Sequence, residues 1–446
     1  MAAILTTALA APDSSSRAAE GALPLRLTGA IRLRQESLWN QYRPGFPDRD
    51  DQLVLRSNVR ADWAVAEGWT LVGELMDSRA WENGDDGVLS SNEVNVFEPI
   101  QAYVARDLRE PFGKGSSLNV QLGRFTANLG SRRLVASDDY RNTPNSYTGV
   151  RADVKLASKA TANFFYVLPA QRRPDDAASL RDQDFHLDRE GREQQLWGVV
   201  ASRPGLLPGK TLAEVTYVGF KEQDHGARAT RNRDLDNFGL RAILDPATGK
   251  WDYELEGIYQ TGNVRSGTAA AAPVLDVDAY FLHADLGYTF ASQGKPHLSA
   301  EYDYVSGDSP AADYTRFDTL FGMRRSDFAP SGIYGLLGRA NVESLGLRIE
   351  AAPAARYDLL ATWHLLWAAD GHDSFSTSGI RDASGAAGSY AGQQFDARVR
   401  YWILPQKLRA EVNAVWFIRG DLMRDAPNAS THGDPRYVSA AVSYSF

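Results

Sequence analysis

Apolar and polar residues alternate with a period of two along most of this chain. Leu25, Leu27, Gly29, Ile31 and Leu33 alternate with Arg26, Thr28, Ala30, Arg32 and Arg34, the pattern of a strand with one oily and one basic face. The rhythm returns in Leu55, Val59, Ala61, Trp63 and Val65 against Arg56, Asn58, Arg60 and Asp62. It returns again in Trp251, Tyr253, Leu255, Gly257 and Tyr259 against Asp252, Glu254 and Glu256. A soluble β-sandwich shares this alternation, so the connections decide between the two architectures. Short links rich in Gly, Pro, Ser or Asp fall at 67–68, 111–115, 157–159, 204–209, 245–249, 292–295, 352–355 and 404–407. Between them lie long polar stretches at 40–51, 82–96, 127–146, 169–192, 222–232, 262–276, 307–338, 370–390 and 420–436. Eight short turns and nine long loops predict an all-β, antiparallel transmembrane barrel of about 18 strands. Its turns and both termini are expected on the periplasmic side and its loops outside.

The C-terminus fits this reading. Val438, Ala440, Val442, Tyr444 and Phe446 form an alternating apolar face that ends on an aromatic, the form of signal that outer-membrane barrels present to their assembly machinery. An apolar edge of this kind needs a partner strand, and the first strand is the expected one. At the other end, Ala2 to Ala11 is apolar and contains Ala8-Leu9-Ala10, a cleavage pattern with no Arg or Lys before it. Residues 1–23 are accordingly expected to be a residual leader and 24–446 a single barrel domain.

Composition changes the picture little. The 446 residues show no linker, and no run of eighteen apolar residues occurs, which excludes helical spans but not a barrel; mean hydropathy is −0.37. Aromatic residues make up 11%, enough for two interfacial belts. Cysteine is absent, so disulfides and thiolate metal sites are excluded. The net charge of −8 and the scattered basic residues give no nucleic-acid patch.

Two stretches resemble the alginate-export family of outer-membrane barrels. The first is Leu122-Gly123-Arg124-Phe125, then Gly130-Ser131-Arg132-Arg133-Leu134-Val135, Asp139, Arg141-Asn142-Thr143 and Gly149-Val150-Arg151. The second is Tyr304-Val305-Ser306-Gly307-Asp308 with Phe317-Asp318-Thr319-Leu320-Phe321 and Gly332-Ile333-Tyr334-Gly335. The resemblance implies a monomeric barrel that passes an anionic polysaccharide, alginate-like, through a lumen with arginine-rich constrictions. Uptake of another small solute is the alternative, because family membership does not fix the cargo. The family's constriction residues are not matched one by one.

Pore-lining residues follow from alternation instead. An Arg or Lys facing lipid at mid-bilayer costs roughly 2–4 kcal/mol, so charged strand residues are expected to face the lumen. This places Arg26, Arg32, Arg34, Arg56, Arg60, Arg151, Lys155, Arg241, Arg348, Arg398, Arg400 and Arg409 inward as candidate contacts for an anionic solute. Asp252, Glu254, Glu256, Glu301 and Asp303 are expected to form an acidic group on the opposite wall. Closure brings the first two strands beside those of Arg398, Arg400 and Arg409, concentrating arginine on one side. Guanidinium forks suit carboxylates of a sliding polyanion; pairing with wall carboxylates is the structural alternative. The stretch 307–338, with Arg316, Arg324 and Arg325 beside Tyr314, Phe317, Phe321 and Phe328, is read as a lid or inward-folded constriction, or else as a surface loop with its own aromatic cluster. The seven histidines accompany no nucleophile motif and no metal-ligand spacing. No catalytic residue, metal or cofactor is expected; the partners are an anionic saccharide or other anionic solute, outer-membrane lipid and lipopolysaccharide, and the assembly machinery through Phe446.

Overall fold

The computed structural model describes residues 24–446 apart from 83–86, 227, 311–312, 324–326, 329 and 331. The leader segment 1–23 and the loop residues Arg324 and Arg325 therefore lie outside the described residues. The strands are β1 (Leu25–Trp39), β2 (Arg49–Ala66), β3 (Trp69–Glu82), β4 (Asn95–Arg109), β5 (Ser117–Phe125), β6 (Tyr147–Lys155), β7 (Thr161–Pro169), β8 (Gln194–Pro204) and β9 (Leu212–Glu222). They continue as β10 (Asp234–Leu244), β11 (Trp251–Arg265), β12 (Val274–Thr289), β13 (His297–Val305), β14 (Val342–Ala354), β15 (Tyr357–Trp367), β16 (Tyr390–Leu404), β17 (Leu408–Arg419) and β18 (Arg436–Ser445). Each pairs antiparallel with the next, and β18 pairs with β1, so the 18-stranded sheet has no edge. Closure satisfies every ladder within the chain, which hydrocarbon demands because it offers no hydrogen bonds. The shortest strands have nine residues, the length a tilted strand needs to cross the bilayer.

Alternation dictates the two faces. Leu27, Leu122, Leu240 and Trp251 lie among the most exposed apolar side chains, on the surface that lipid covers. The intervening Arg32, Arg56, Glu254 and Glu256 point into the barrel, as the parity of the sequence predicts.

At the seam, Phe446 N–H donates to Gly29 O at 3.0 Å and Gly29 N–H to Phe446 O at 3.1 Å. The Phe446 ring covers Gly29 so closely that a Cβ there would lie 2.5 Å from the ring and 2.6 Å from Asn58 O. A Gly29→Leu barrel is therefore expected to lose about 1–3 kcal/mol at its closing joint. Heat-modifiable mobility and the thermal midpoint check this; wild-type values in both would mean that the terminal ring moves aside without cost.

The apolar core lies inside the upper lumen. Leu129, Leu134, Val135, Phe317, Phe328 and Tyr334 from two connections pack there against Phe125, Tyr147, Phe220 and Phe281. The segment 126–146 between β5 and β6, expected among the extracellular loops, instead folds into the barrel. Its apolar residues gain a dry environment there, and its carbonyls find donors on the wall. The described residues of 306–341 between β13 and β14 do the same, which decides for the inward-folded reading over a surface loop. The two run side by side as a short parallel ribbon: Phe321 N–H donates to Leu134 O at 3.0 Å and Ala136 N–H to Phe321 O at 3.1 Å.

Candidate functional site

The ribbon is a crossbar tied to opposite walls. On one side Arg32 and Arg56, direct neighbours across β1 and β2, grip the same carbonyls. Arg32 donates to Asp139 O at 3.1 Å and Arg141 O at 2.8 Å, and Arg56 to both at 3.1 Å. Arg34 donates to Tyr140 O at 2.7 Å and pairs with Glu36 at 2.6 Å. On the other side Ser131 donates to Glu256 at 2.8 Å, and Arg133 pairs with Glu254 at 2.5 Å and also with Glu256. Asp327 locks the two segments together: it lies 2.9 Å from Arg133 Nη2 and accepts from Arg339 Nε at 2.7 Å. The second segment is held in turn by Tyr42, whose hydroxyl donates to Tyr334 O at 2.6 Å, and by Glu36, which accepts from Ile333 N at 3.2 Å.

Two cavities lie on opposite sides of this crossbar. The inner one, about 470 Å³, reaches the periplasmic turn at Gln406. Among the described residues nine cations line it (Arg32, Arg34, Arg56, Arg132, Arg348, Arg398, Arg400, Lys407 and Arg409) against four carboxylates (Asp139, Asp327, Asp396 and Glu411). The outer one, about 840 Å³, is bordered by Arg141, Arg172, Arg173, Arg189 and Arg228 against Asp138 and Asp175. Arg172 donates to Asn145 Oδ1 at 2.6 Å, Asn92 Oδ1 at 2.8 Å and Ser91 O at 3.1 Å. Burial, reinforced by neighbouring Arg141, lowers its pKa to about 9. Both vestibules carry an excess of positive charge.

The sequence-derived candidates divide accordingly. Arg32, Arg34, Arg56, Arg348, Arg398, Arg400 and Arg409 share the inner cavity, so closure does bring the ends of the chain to one arginine-rich wall. Arg26, Arg60, Arg151, Lys155 and Arg241 line neither cavity; Arg26 and Lys155 stand exposed at periplasmic strand ends. Many of the arginines have carboxylate partners, often two residues along the same strand: Arg60 with Asp62 at 2.7 Å, Arg151 with Asp153 at 2.8 Å, Arg409 with Glu411 at 3.5 Å, and Arg348 with Glu350. Arg241 pairs with Glu254 at 3.0 Å, and Arg398 and Arg400 share Asp358 at 3.6 and 2.6 Å. In the acidic group, Asp252 contacts His297 at 2.9 Å, Asp303 contacts His283 at 2.8 Å, and Glu301 lies 3.4 Å from Arg348. Arg32 and Arg56 differ: among the described residues neither has an ion-pair partner, only backbone carbonyls.

Alternation misses Arg132, Arg133, Arg141, Arg172, Asp327 and Arg339, because residues off the strands have no parity to orient them. The sequence carries one signal for three of them: Arg132, Arg133 and Arg141 lie inside the first family-like stretch, which falls largely between strands.

A buried carboxyl stands behind the crossbar. Glu93, 5% exposed, accepts from Ser90 N at 3.0 Å and Ser90 Oγ at 2.7 Å, and its own carbonyl accepts from Asn142 at 2.8 Å. Burial pushes its pKa up to about 7. The folded state thus holds a proton that the unfolded chain releases at lower pH. This contribution to stability is full in acid and is lost as pH rises through about 7. Glu93→Gln is expected to raise the thermal midpoint by a few degrees at about pH 8 and barely at about pH 4; equal shifts at both would show that Glu93 does not titrate abnormally.

The family model described as alginate export matches residues 24–435. Among solved structures, the chain is similar to Pseudomonas aeruginosa OccK2 in complex with glucuronate, at 13% identity and a TM-score of 0.57 over 94% of this chain and 98% of that one. It is also similar to a BenF-like porin from Pseudomonas fluorescens Pf-5, at 13% identity and a TM-score of 0.59 over 95% of this chain and 99% of that one. No curated protein sequence matches the chain. At such identities the likeness to solved structures shows the barrel fold alone, whereas the family match spans nearly every strand and both crossbar segments. The chain belongs to the alginate export family and is a channel-forming β-barrel of the Gram-negative outer membrane.

Proposed function

We propose that this barrel passes an anionic saccharide, a uronate chain or oligomer, passively across the outer membrane. The observation that carries the reading is the inner vestibule, where nine cations face four carboxylates among the described residues. A low-dielectric wall focuses such an excess and raises the local concentration of anions. Arg32 and Arg56, which among the described residues are held by backbone carbonyls and by no ion pair, leave most of their charge to act on whatever enters. Among the described residues the outer vestibule repeats the sign with five arginines against two aspartates, so an anion is favoured on both sides of the crossbar.

A second reading, uptake of a small monomeric acid, draws support from the crossbar itself, which divides the lumen and suits a narrow solute. The fold neighbour solved with glucuronate carries a single uronic acid. Planar-bilayer recordings of the refolded protein test both readings. Anion preference in a salt gradient with stepwise block by oligouronates, and none by neutral oligosaccharides of equal length, is the expected result. Block by monouronate and not by oligouronate would select the uptake reading. A non-selective pore blocked by neither would overturn the anionic assignment.

A further inference from the structure

The lipid-facing surface also carries an organised polar feature. By strand parity Trp39 on β1, Arg49 on β2, Trp416 on β17 and Arg436 on β18 all point outward, near the extracellular ends of their strands. Register makes them direct neighbours: Trp416 lies opposite Arg436, Arg436 opposite Trp39, and Trp39 opposite Arg49. Aromatic and cation thus alternate across four strands that span the closing seam. The Arg436 guanidinium sits 5.7 Å from the Trp416 ring centre and the Arg49 guanidinium 5.6 Å from that of Trp39. Arg49 also pairs with Asp51 at 2.5 Å, yet its side chain remains 59% exposed. Arg436 is exposed and, among the described residues, has no carboxylate partner. Towards the membrane interior the same face turns apolar through Leu33, Val438 and Val442.

A cation facing outward on a barrel strand is costly in hydrocarbon and comfortable only among headgroups. Stacking each guanidinium beside an indole fixes its direction while leaving N–H donors free for an acceptor. Phosphate is the headgroup anion that a guanidinium meets best. The arc across the barrel has the opposite sign, with Asp234, Asp236, Asp276 and Asp278 facing outward on β10 and β12. A phosphorylated lipid is therefore attracted to the seam and repelled from that arc.

We propose that Arg436 and Arg49, framed by Trp416 and Trp39, form a docking site for a phosphorylated, multiply acylated glycolipid of the outer leaflet. The arginines hold a phosphate, the indoles lie at the sugar–acyl boundary, and the acyl chains cover Leu33, Val438 and Val442. The bound lipid would bridge β17, β18, β1 and β2 from outside and so brace the joint that closes the barrel.

The test is lipid retention by the full-length barrel, extracted from vesicles of phosphatidylethanolamine containing bisphosphorylated lipid A and weighed by native mass spectrometry. Arg436→Gln is expected to lower retention about fivefold, and adding Arg49→Gln to lower it further by a similar factor; Arg436→Lys should recover part of it. Lys221→Gln, beside the acidic arc, should change nothing. Because Arg436→Gln orphans no carboxylate, that variant folds, as heat-modifiable mobility will verify. Undiminished retention by Arg436→Gln, or equal retention of dephosphorylated lipid A, would overturn the proposal. Complete displacement by excess inorganic phosphate would overturn it too, since it would show a site for a small free anion.

Discussion

Asp327→Asn should raise the single-channel conductance of the reconstituted barrel severalfold and make the open level noisy. Asp327 is the one carboxylate among the described residues that pairs with both Arg133 and Arg339, and its side chain is only 3% exposed. Removing one partner of a buried ion pair typically costs about 3–5 kcal/mol, because the other charge is left uncompensated. Arg133 keeps Glu254 and Glu256, so the first segment stays anchored to its wall. The second segment loses its ionic tie to the first and keeps the ribbon's hydrogen bonds there, so it loosens around the uncompensated Arg339. The 18 strands and their ladders are untouched, so the variant should still assemble. Unchanged conductance would mean that the ribbon hydrogen bonds through Phe321 and the ties of the second segment to Tyr42, Glu36, Arg233 and Asp373 suffice to hold it.

The same site fixes an expected pH response. Burial alone would raise the Asp327 carboxyl, but Arg133 and Arg339 outweigh it and hold it well below the usual carboxylate range. A lowered folded pKa gives stability that is present above the unfolded value and lost only as pH falls through the folded one. Wild-type conductance should therefore stay level from neutral pH into the mildly acidic range where exposed carboxylates protonate.

The second large effect concerns selectivity. Replacing Arg32, Arg34 and Arg56 together with Arg398, Arg400 and Arg409 by Gln is expected to reduce the preference for anions roughly tenfold, the scale that a focused field supplies. Glutamine keeps an N–H donor for the carbonyls of Asp139, Tyr140 and Arg141, which limits loosening of the crossbar. Arg60→Gln is the matched control, since Arg60 is held by Asp62 and lines neither cavity. Reversal potentials in a salt gradient read the result. A shift per charge removed as large in the Arg60 control as in the sextuple variant would mean that net charge, not the vestibule, sets selectivity.

The strands were legible because a barrel in lipid has few local solutions. Period-two alternation fixes which side chains face out, and the strict succession of short and long connections fixes count and orientation. Strand ends extend into the expected loops by a few residues, as at Arg49 and Val274, where polar side chains hide a continuing ladder. The closure of β1 on β18 and the gathering of arginines from both chain ends followed from the same logic. The course of 126–146 did not. A chain segment without periodicity carries no mark of whether it lies on the surface or in the lumen. The decisive contacts join its backbone carbonyls to Arg32, Arg34 and Arg56, and a carbonyl is invisible to any reading of side chains. Asp327 posed the same difficulty: one aspartate in a polar loop gives no hint that Arg339 of its own segment and the sequence-distant Arg133 converge on it. Pairing two residues along a strand was visible in principle, since Arg60 with Asp62 and Arg151 with Asp153 lie in plain sequence; parity places them on one face, and only their side-chain reach was needed to join them.

That pairing gives the wall a texture as well as a charge. A guanidinium followed by a carboxylate about 7 Å further along the strand is a dipole, and a dipole's field fades with distance faster than that of a lone charge. On the proposed reading, a slender anion in mid-lumen would feel chiefly the smooth attraction of Arg32 and Arg56. A thicker one, brushing the wall, crosses a ripple of attraction and repulsion at every step and is slowed in proportion to its girth. If the solute is the anion proposed above, such a wall slows thick anions more than slender ones, in addition to any limit that the crossbar sets.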